Sequence, residues 1–498
     1  MRTLHHRTAA RCATPRSLPT LRALAVMAPL ALLALLAPLP LLVAAGPALA
    51  QGAPTSDTLT RPLSLGDAAR LAARQSALAE TGRLRTEQAE ARARERRADL
   101  LPNLSSVATD GKRSFNTATF GFDFPGFDPN GTVIGPVRTV DVRGRVAQDL
   151  VDVAALNRYR SARTSVRASD ADASDAAERA ASAAAAAYLR ALRAGAQLQA
   201  RAADSALASD LLGIARQQLQ AGVGVGLDVT RAQAQAATVQ AQLIVARNEK
   251  DRSELDLLRS LNLPLTATVT LADSLPVSCP LVATAQVVTN QSAQGGPADC
   301  LAVGDTVPDE AAAVERALRT RPDLRAADEQ LRAAEQQLSA IRAERLPSLS
   351  AFADQGAIGK DYGNLKNTYT WGVQVSLPIF DGLRREARGQ EQQALARELD
   401  VRRRDLRQQA EVDVRGALLD LASARQQVTA ARERLRLGEQ ELSQARDRFR
   451  AGVAGNADVI SASLALNSSR NLLIDALTAY QSARVNLARA QGTVTELP

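Results

Sequence analysis

The chain has 498 residues, of which 3% are aromatic, and a formal net charge of +8. Ala, Arg, Gln and Leu dominate, which favours long helices over an aromatic-rich globular core. Five of the arginines lie in residues 1–50, so much of the net positive charge belongs to that segment. We therefore expect no nucleic-acid partner for the rest of the chain. Beyond those residues the chain has no His and no Met, so it lacks the commonest general base and the commonest soft metal ligands. We therefore predict that the protein is not an enzyme and that it has no catalytic residue, no cofactor and no metal site.

Residues 1–50 are predicted to be an export signal peptide. Arginines precede an apolar run from about Ala23 to Ala45, and Ala48-Leu49-Ala50 forms a small-x-small cleavage site. The alternative is a retained membrane anchor, but prolines interrupt the apolar run. Cleavage would make Gln51 the first residue of an exported mature chain.

The remaining sequence consists of two related halves. Leu101-Pro102 recurs as Leu346-Pro347, and Ala221-Gly222-Val223 recurs as Ala451-Gly452-Val453 at an offset of 230 residues. In each half a short helix and a second helix lead to the Leu-Pro motif. A strand-rich stretch follows, and then a helical hairpin that turns at the Ala-Gly-Val motif.

The repeat sets the predicted domain boundaries. The first repeat is 51–263, with strands within about 104–148 and a hairpin at about 152–263. The second repeat is 309–498, with strands within about 348–377 and a hairpin at about 381–491. Between them lies an insertion at 264–308, which is rich in turn-forming residues and holds Cys279 and Cys300. These two cysteines are a candidate disulfide in an oxidising compartment, and two separate thiols are the alternative.

Both hairpins carry an apolar repeat of seven residues, which is clearest in the second half. One predicted row is Leu421, Val428, Leu435, Leu442 and Phe449, and the opposite row is Val459, Leu466, Leu473, Tyr480 and Leu487. Small residues fill the intervening positions, so the arms should pack with their backbones close together. In the first half the pattern is weaker: Leu198, Leu212 and Leu219 oppose Val229, Leu243 and Leu257, with Ser205 and Lys250 at seam positions. A helix from Asp381 to about Arg450 would be on the order of 100 Å long.

The strand-rich stretches show the alternation of a membrane barrel wall. From Tyr369 to Leu377 apolar and polar residues alternate, and Val140, Val142 and Val146 alternate with Asp141, Arg143 and Arg145. We predict strands near 104–124, 132–148, 348–357 and 368–377, with external loops at 125–131 and 354–367. A soluble sheet with one face on a core is the alternative. Four strands cannot close a barrel, so several copies of the chain would have to complete it.

These features resemble the TolC-like outer-membrane efflux protein family. The resemblance rests on the tandem halves, on Leu-Pro before each pair of strands, on Pro378-Ile379-Phe380-Asp381-Gly382 before a long helix, and on Ala-Gly-Val with a downstream Asp-Val at each hairpin turn. It implies a mainly helical protein with a membrane β-barrel portion. Three chains would share one twelve-stranded barrel and one α-barrel tunnel. A periplasmic adaptor protein, an inner-membrane transporter and outer-membrane lipid would be its partners.

The resemblance also assigns roles to the hairpin turns. Asp228 and Asp458 match acidic positions at the narrow periplasmic tip and are gate candidates; each could also be an ordinary helix N-cap. The adaptor-docking candidates are the turn residues Gly222, Val223, Gly224, Gly452, Val453 and Gly455, although glycine there is also plain turn chemistry. Ala454 and Ser461 depart from the family pattern, in which an arginine and a second aspartate are expected.

The predicted function is therefore a passive exit duct of a tripartite efflux pump. It would lie in the outer membrane and extend into the periplasm. One alternative is the outer-membrane component of a type I protein secretion system. An alternative of another class is a periplasmic coiled-coil scaffold.

Overall fold

A computed structural model of the chain describes residues 62–120, 131–275, 308–451, 453 and 455–498. The predicted export signal, the candidate disulfide between Cys279 and Cys300, and the tip residues Gly452 and Ala454 lie outside these ranges. The described residues form a mostly helical unit with one four-stranded antiparallel sheet.

The elements follow in the same order in each half of the chain. The first half contains α1 (Leu65–Gln75), α2 (Ala77–Ala98), β1 (Asn103–Asn116), β2 (Val133–Val151), α3 (Val153–Gln220) and α4 (Gly226–Ser260). The second contains α5 (Glu310–Thr320), α6 (Pro322–Ala343), β3 (Ser348–Gly359), β4 (Lys366–Ser376), α7 (Arg384–Arg450) and α8 (Asn456–Gln491). Local chemistry sets several helix starts: Ser64, Ser76 and Asp152 each accept a hydrogen bond from a backbone N–H of the first turn.

The long helices α3 and α7 contain 68 and 67 residues. At a rise of 1.5 Å per residue each is about 100 Å long. Both are far longer than helices of ordinary globular domains, so their stability must come from packing along their whole length. α4 and α8, with 35 and 36 residues, return along about half of that length as the second arms of two hairpins, and the shorter helices α2, α5 and α6 also pack against the long ones.

The seam between α7 and α8 is confirmed. Every predicted apolar residue of both rows is buried, from Leu421 to Phe449 on α7 and from Val459 to Leu487 on α8. The backbones also approach closely, because a Cβ atom built on Gly438 would lie 3.4 Å from Cα of Leu466 and 3.3 Å from Oγ of Ser469. Small residues on one row thus set the spacing of the arms.

The predicted seam of α3 is wrong in phase. Leu219 is 43% exposed, and Leu198 and Leu212 are only half-buried, whereas Leu207, Leu211 and Ala215 are buried instead. The reason is that this part of α3 packs against α8 as well as α4, because Arg201 donates a hydrogen bond to Asn467 of α8 and Asp204 accepts one from Arg470 of α8. The two neighbours together select its buried stripe.

The opposite arm, α4, follows the prediction more closely. Leu243 and Leu257 are buried, and Val229 is half-buried. The mismatch at Lys250 is accommodated because its Nζ lies 2.6 Å from Oε1 of Glu254, one turn further along the same helix, with both side chains partly exposed. Ser205, at a seam position on α3, donates a hydrogen bond of 3.3 Å from Oγ to Oε1 of Gln240.

The strands of the two halves join in one sheet of order β1-β2-β3-β4, with every pair antiparallel. The pairing of β2 with β3 is the connection between the repeats, and it brings Val140 opposite Gly359 and Arg145 opposite Asp354. The outer strands β1 and β4 each have one side without a partner strand in the described chain.

Two predicted strand limits need correction. The strand predicted to run to Phe124 ends at Asn116, because Asn116 Oδ1 accepts a hydrogen bond from the Ala118 N–H at 3.0 Å and the chain turns into a 3₁₀ helix at Thr117–Phe120. The external loop predicted at 354–367 is shorter, since β3 continues to Gly359 and pairs with β4. Asp354, Gly356 and Gly359 are strand residues, whereas Asp361 and Gly363 lie in the turn between β3 and β4.

The register sorts the side chains of all four strands into two faces. One face, which we call the apolar face, carries the apolar residues Val142 and Val146 of β2 and Tyr369, Trp371, Val373 and Val375 of β4. The opposite face, which we call the polar face, carries Asp141, Arg143 and Arg145 of β2, Asp354 of β3 and Thr368, Thr370, Gln374 and Ser376 of β4. The alternation seen in β2 and β4 therefore places their apolar side chains on the same face, although Asp110, Lys112 and Arg138 also lie on the apolar face and Phe352 lies on the polar face.

Candidate functional site

The turn between α3 and α4 is tightly closed by backbone hydrogen bonds. Gly222 adopts a left-handed conformation with φ of +76°, which favours glycine. The N–H groups of Val223 and Gly224 both donate to the carbonyl oxygen of Gln218, at 3.0 and 2.9 Å. A Cβ atom on Gly224 would lie 2.8 Å from the backbone nitrogen of Leu219, so only glycine fits there. Both glycines are thus required by the turn itself.

The turn between α7 and α8 ends its first helix in the same way. The N–H of Val453 donates to the carbonyl oxygen of Arg448 at 3.1 Å, and α8 begins after Gly455. Val453 is 70% exposed and Val223, its counterpart in the other turn, is 79% exposed. Each turn therefore presents a valine side chain to the surroundings.

The two aspartates predicted at the tip lie in the first turns of their helices, but the N-cap alternative is wrong for both. The N-cap residues are Val225 for α4 and Gly455 for α8, and neither makes a side-chain capping bond. Asp228 and Asp458 are the third residues of their helices, where a carboxylate still interacts favourably with the helix dipole. Asp458 is exposed, whereas Asp228 is half-buried with its Oδ1 3.9 Å from Nη1 of Arg231.

A buried asparagine joins the two turns. Asn456, the first residue of α8, is fully buried, and its Nδ2 donates a hydrogen bond of 3.0 Å to the backbone oxygen of Asp228 at the start of α4. Its Oδ1 has no hydrogen-bond partner among the described residues. The structure thus brings both predicted tip segments together through a residue that the sequence patterns had not singled out.

The hairpins are also tied together further from the turns. Asp204 of α3 is buried, and its Oδ1 accepts a hydrogen bond of 3.0 Å from Nη1 of Arg470 on α8, while Arg201 lies 3.6 Å from its Oδ2 and also donates to Asn467 of α8. Burial raises the pKa of Asp204 above its ordinary value, although Arg470 and Arg201 act in the opposite direction. A charged network of this kind fixes the relative position of the two hairpins.

Within the described ranges, no group of three or more His, Cys, Asp or Glu side chains could hold a metal ion. None of the helices in those ranges combines the length and the hydropathy of a membrane-spanning helix. Ser461, where the family pattern has a second aspartate, donates from Oγ to the backbone oxygen of Asp458 at 2.9 Å and has an intrahelical role.

Comparison with known proteins gives one family. A profile of the family described as outer membrane efflux protein matches residues 69–263 and 313–493. Among curated proteins, the probable efflux pump outer membrane protein TtgC of Pseudomonas putida is 27% identical over 180 residues, which is 35% of this chain. The match spans only 37% of the length of that relative.

Solved structures share the fold over a larger part of the chain. The outer membrane protein VceC of Vibrio cholerae aligns with a TM-score of 0.67 at 18% identity and covers 86% of this chain and 96% of its own. The open state of the MtrE outer membrane channel of Neisseria gonorrhoeae aligns with a TM-score of 0.66 at 19% identity, over 86% and 88%. At these identities the likeness shows the fold.

Proposed function

Because the chain belongs to the outer membrane efflux protein family, we propose that it is the outer-membrane exit duct of a tripartite efflux pump. One observation carries the proposal: a sheet with one apolar and one polar face continues directly into the helices α3 and α7, each about 100 Å long. The sheet suits a bilayer, and the hairpins suit a passage through the space below it. The energy for transport would come from a partner transporter.

The proposed assembly is a trimer. The unpaired sides of β1 and β4 would expose backbone N–H and C=O groups to hydrocarbon, where they cannot be satisfied. Pairing β4 of one copy with β1 of the next removes both edges, and three copies give a closed twelve-stranded barrel, the number that the family resemblance implies. The apolar face would then contact outer-membrane lipid and the polar face would line the lumen.

The proposed docking site for a periplasmic adaptor is the pair of hairpin turns. Val223, Val453, Val225 and Leu227 are all exposed there, which is unusual for four large apolar side chains so close in the fold. The first N–H groups of α4 and α8 have no capping side chain and can donate to a partner. The exposed side chains and the free N–H groups would give the adaptor both apolar contacts and hydrogen bonds. An inner-membrane transporter would complete the pump.

The route to this location is export. We propose that residues 1–50 are removed and that the mature chain begins at Gln51. Fractionation tests this together with the membrane assignment, because the mature chain should be recovered from outer membranes only with detergent. Recovery in a detergent-free periplasmic extract would instead support a soluble scaffold.

The gate proposal for Asp458 is tested by conductance. In a trimer, three exposed Asp458 side chains near the pore axis would form an anionic constriction, so Asp458→Ala, which shortens the side chain and removes the charge, should raise single-channel conductance in planar bilayers. Ser461→Ala, one turn further along α8, is the matched control and should conduct like the wild type. Equal conductance of both variants would leave Asp458 with only its helix-dipole role.

A further inference from the structure

The polar face of the sheet carries four cationic and three acidic side chains on the described strands: Arg113, Arg143, Arg145, Lys366, Asp141, Asp149 and Asp354. Under the proposed function these side chains line the lumen of the barrel. A balanced set of charges would give the lumen little preference between cations and anions. The cationic and acidic side chains, however, differ in how far they are exposed and in how closely they are paired.

Arg143 is neutralised by its neighbour on the same strand. Its Nε lies 3.0 Å from Oδ1 of Asp141, and its Nη2 lies 2.5 Å from Oδ2, so the pair is bidentate. Directly opposite Arg143 on β3 is Gly356, where a Cβ atom would lie 2.5 Å from Cβ of Arg143. The strand pairing therefore leaves this ion pair close to the sheet, where its two charges largely cancel.

Arg145 is held differently. Its Nε lies 3.6 Å from Oδ1 of Asp354, too far for a hydrogen bond, and its guanidinium carbon lies 5.4 Å from the ring centre of Phe352. The Arg145 side chain is 52% exposed, whereas that of Asp354 is only 15% exposed. The positive group therefore projects from the face, while the nearest carboxylate is recessed.

The aromatic support for Arg145 depends on a glycine. Phe352 lies opposite Gly372 of β4, and a Cβ atom on Gly372 would come within 3.1 Å of the Phe352 ring. The missing side chain gives the ring room to lie across the strand, so that its face is free to stack on the guanidinium. A stacked guanidinium keeps its N–H donors available for an anionic group.

We propose that Arg145 is a specificity-determining residue of the duct. In the proposed trimer, three copies of Arg145 would form a ring at one level of the barrel lumen and favour the passage of anions, including anionic or carboxylate-bearing cargo, over cations. This inference rests on the proposed function, since only a closed barrel gives the polar face a lumen. The site is separate from the hairpin turns, at the other end of the long helices.

Ion selectivity in planar bilayers tests the proposal. In a KCl gradient near 0.1 M, Arg145→Gln should lower the anion-to-cation permeability ratio to about half of the wild-type value or less, and the Asp458 side chains at the tip are the same in both proteins. The difference should disappear near 1 M salt, where the screening length falls to about 3 Å. Arg145→Lys keeps the charge and should retain the wild-type permeability ratio.

The control is Lys112→Gln, which also removes one positive charge from a strand but lies on the apolar face, next to Arg138. It should leave the reversal potential unchanged. A second variant, Asp354→Asn, removes the recessed carboxylate and should strengthen the anion preference; a weaker preference would contradict the proposal.

Two failures can be told apart. A wild-type chain that forms no conducting pores would contradict the exit-duct function itself. Conducting Arg145→Gln pores with an unchanged reversal potential near 0.1 M would overturn only the role of Arg145.

Discussion

Gly224 is held in the turn by contacts that a sequence pattern does not reveal. Its dihedral angles do not themselves demand glycine, but a Cβ atom would meet the backbone of Gln218 and Leu219 at 2.9 and 2.8 Å. Gly226, two residues later, has no atom within 4 Å of the equivalent point. The two glycines of this short segment therefore differ in whether they tolerate a side chain.

This contrast gives a paired prediction. Gly224→Ala should distort the turn at a cost of more than about 1 kcal/mol and lower efflux, whereas Gly226→Ala should be neutral. Drug susceptibility of a strain that lacks its own outer-membrane channel, complemented with each variant, measures the effect. Outer-membrane levels of both variants should be checked by immunoblot, and full activity of Gly224→Ala would show that the turn relaxes freely.

Asp204 leads to a prediction about pH. Because its pKa is raised above 3.8, the folded chain binds this proton more tightly than the unfolded chain, and its contribution to stability is lost as the pH rises from 3.8 through the folded pKa. The free energy of unfolding of the wild type relative to Asp204→Asn should therefore fall over that interval and level off above it. Guanidinium denaturation over a pH series measures this difference.

The control for Asp204 is Asp475→Asn, which removes an exposed carboxylate that pairs with Arg193 between the same two helices at 2.8 Å. This variant should keep the pH dependence that the wild type shows. A difference between the wild type and Asp204→Asn that does not vary with pH would contradict the assigned burial effect.

At the residue scale, the two hairpin turns were predictable from the sequence, but the hydrogen bond that joins them was not. Motif duplication located Gly222, Asp228 and Asp458, because chain reversal and helix starts leave local signals. Asn456 has no such signal: its role depends on a backbone oxygen 228 residues away in the chain. Asp204 could have been suspected only as an acidic residue within an otherwise small and apolar stretch of α3.

At the scale of helices, the α7–α8 seam was predictable because each arm meets mainly its partner. The apolar residues that recur every seven positions are then the buried residues. The α3 seam was predicted in the wrong phase because a helix with several neighbours buries a wider stripe, and local spacing does not say which neighbour dominates.

The close approach of α7 and α8 can be tested at Gly438. Gly438→Leu would place a large side chain between the backbones and should destabilise the hairpin by about 1–3 kcal/mol. Gly416→Leu, on the same helix, has no atom within 4 Å of its Cβ position and should be neutral or slightly stabilising. Thermal or guanidinium denaturation followed by circular dichroism gives both values, and equal effects would contradict the packing argument.

For the whole molecule, alternation predicted the four strands and their apolar face, and the structure shows them as one sheet. The join between β2 and β3 could not be read from either strand alone, since strand partners are chosen over long sequence distances. Strand ends were also missed, because Asp354 and Asn116 are turn-forming residue types with opposite outcomes here: one lies within β3 and the other ends β1.

The unpaired edges predict the oligomeric state. Detergent-solubilised mature chain should have three times the mass of one chain by light scattering, because pairing β4 with β1 satisfies edges that lipid cannot. A cysteine placed in β1 and one placed in β4 should form disulfides between chains, whereas the same cysteines in β2 and β3 should link only within a chain. A stable monomer in detergent would contradict the shared barrel.

The regular seam of the α7–α8 hairpin limits how such a protein can change in length. Removing one residue from α7 would rotate everything beyond it by about 100° and turn its buried row away from α8. A change that keeps the row in place must come in blocks of seven, and the returning arm must lose or gain the same block. Related ducts should therefore differ in helix length by steps of about 10 Å, with the same change in both arms of both hairpins.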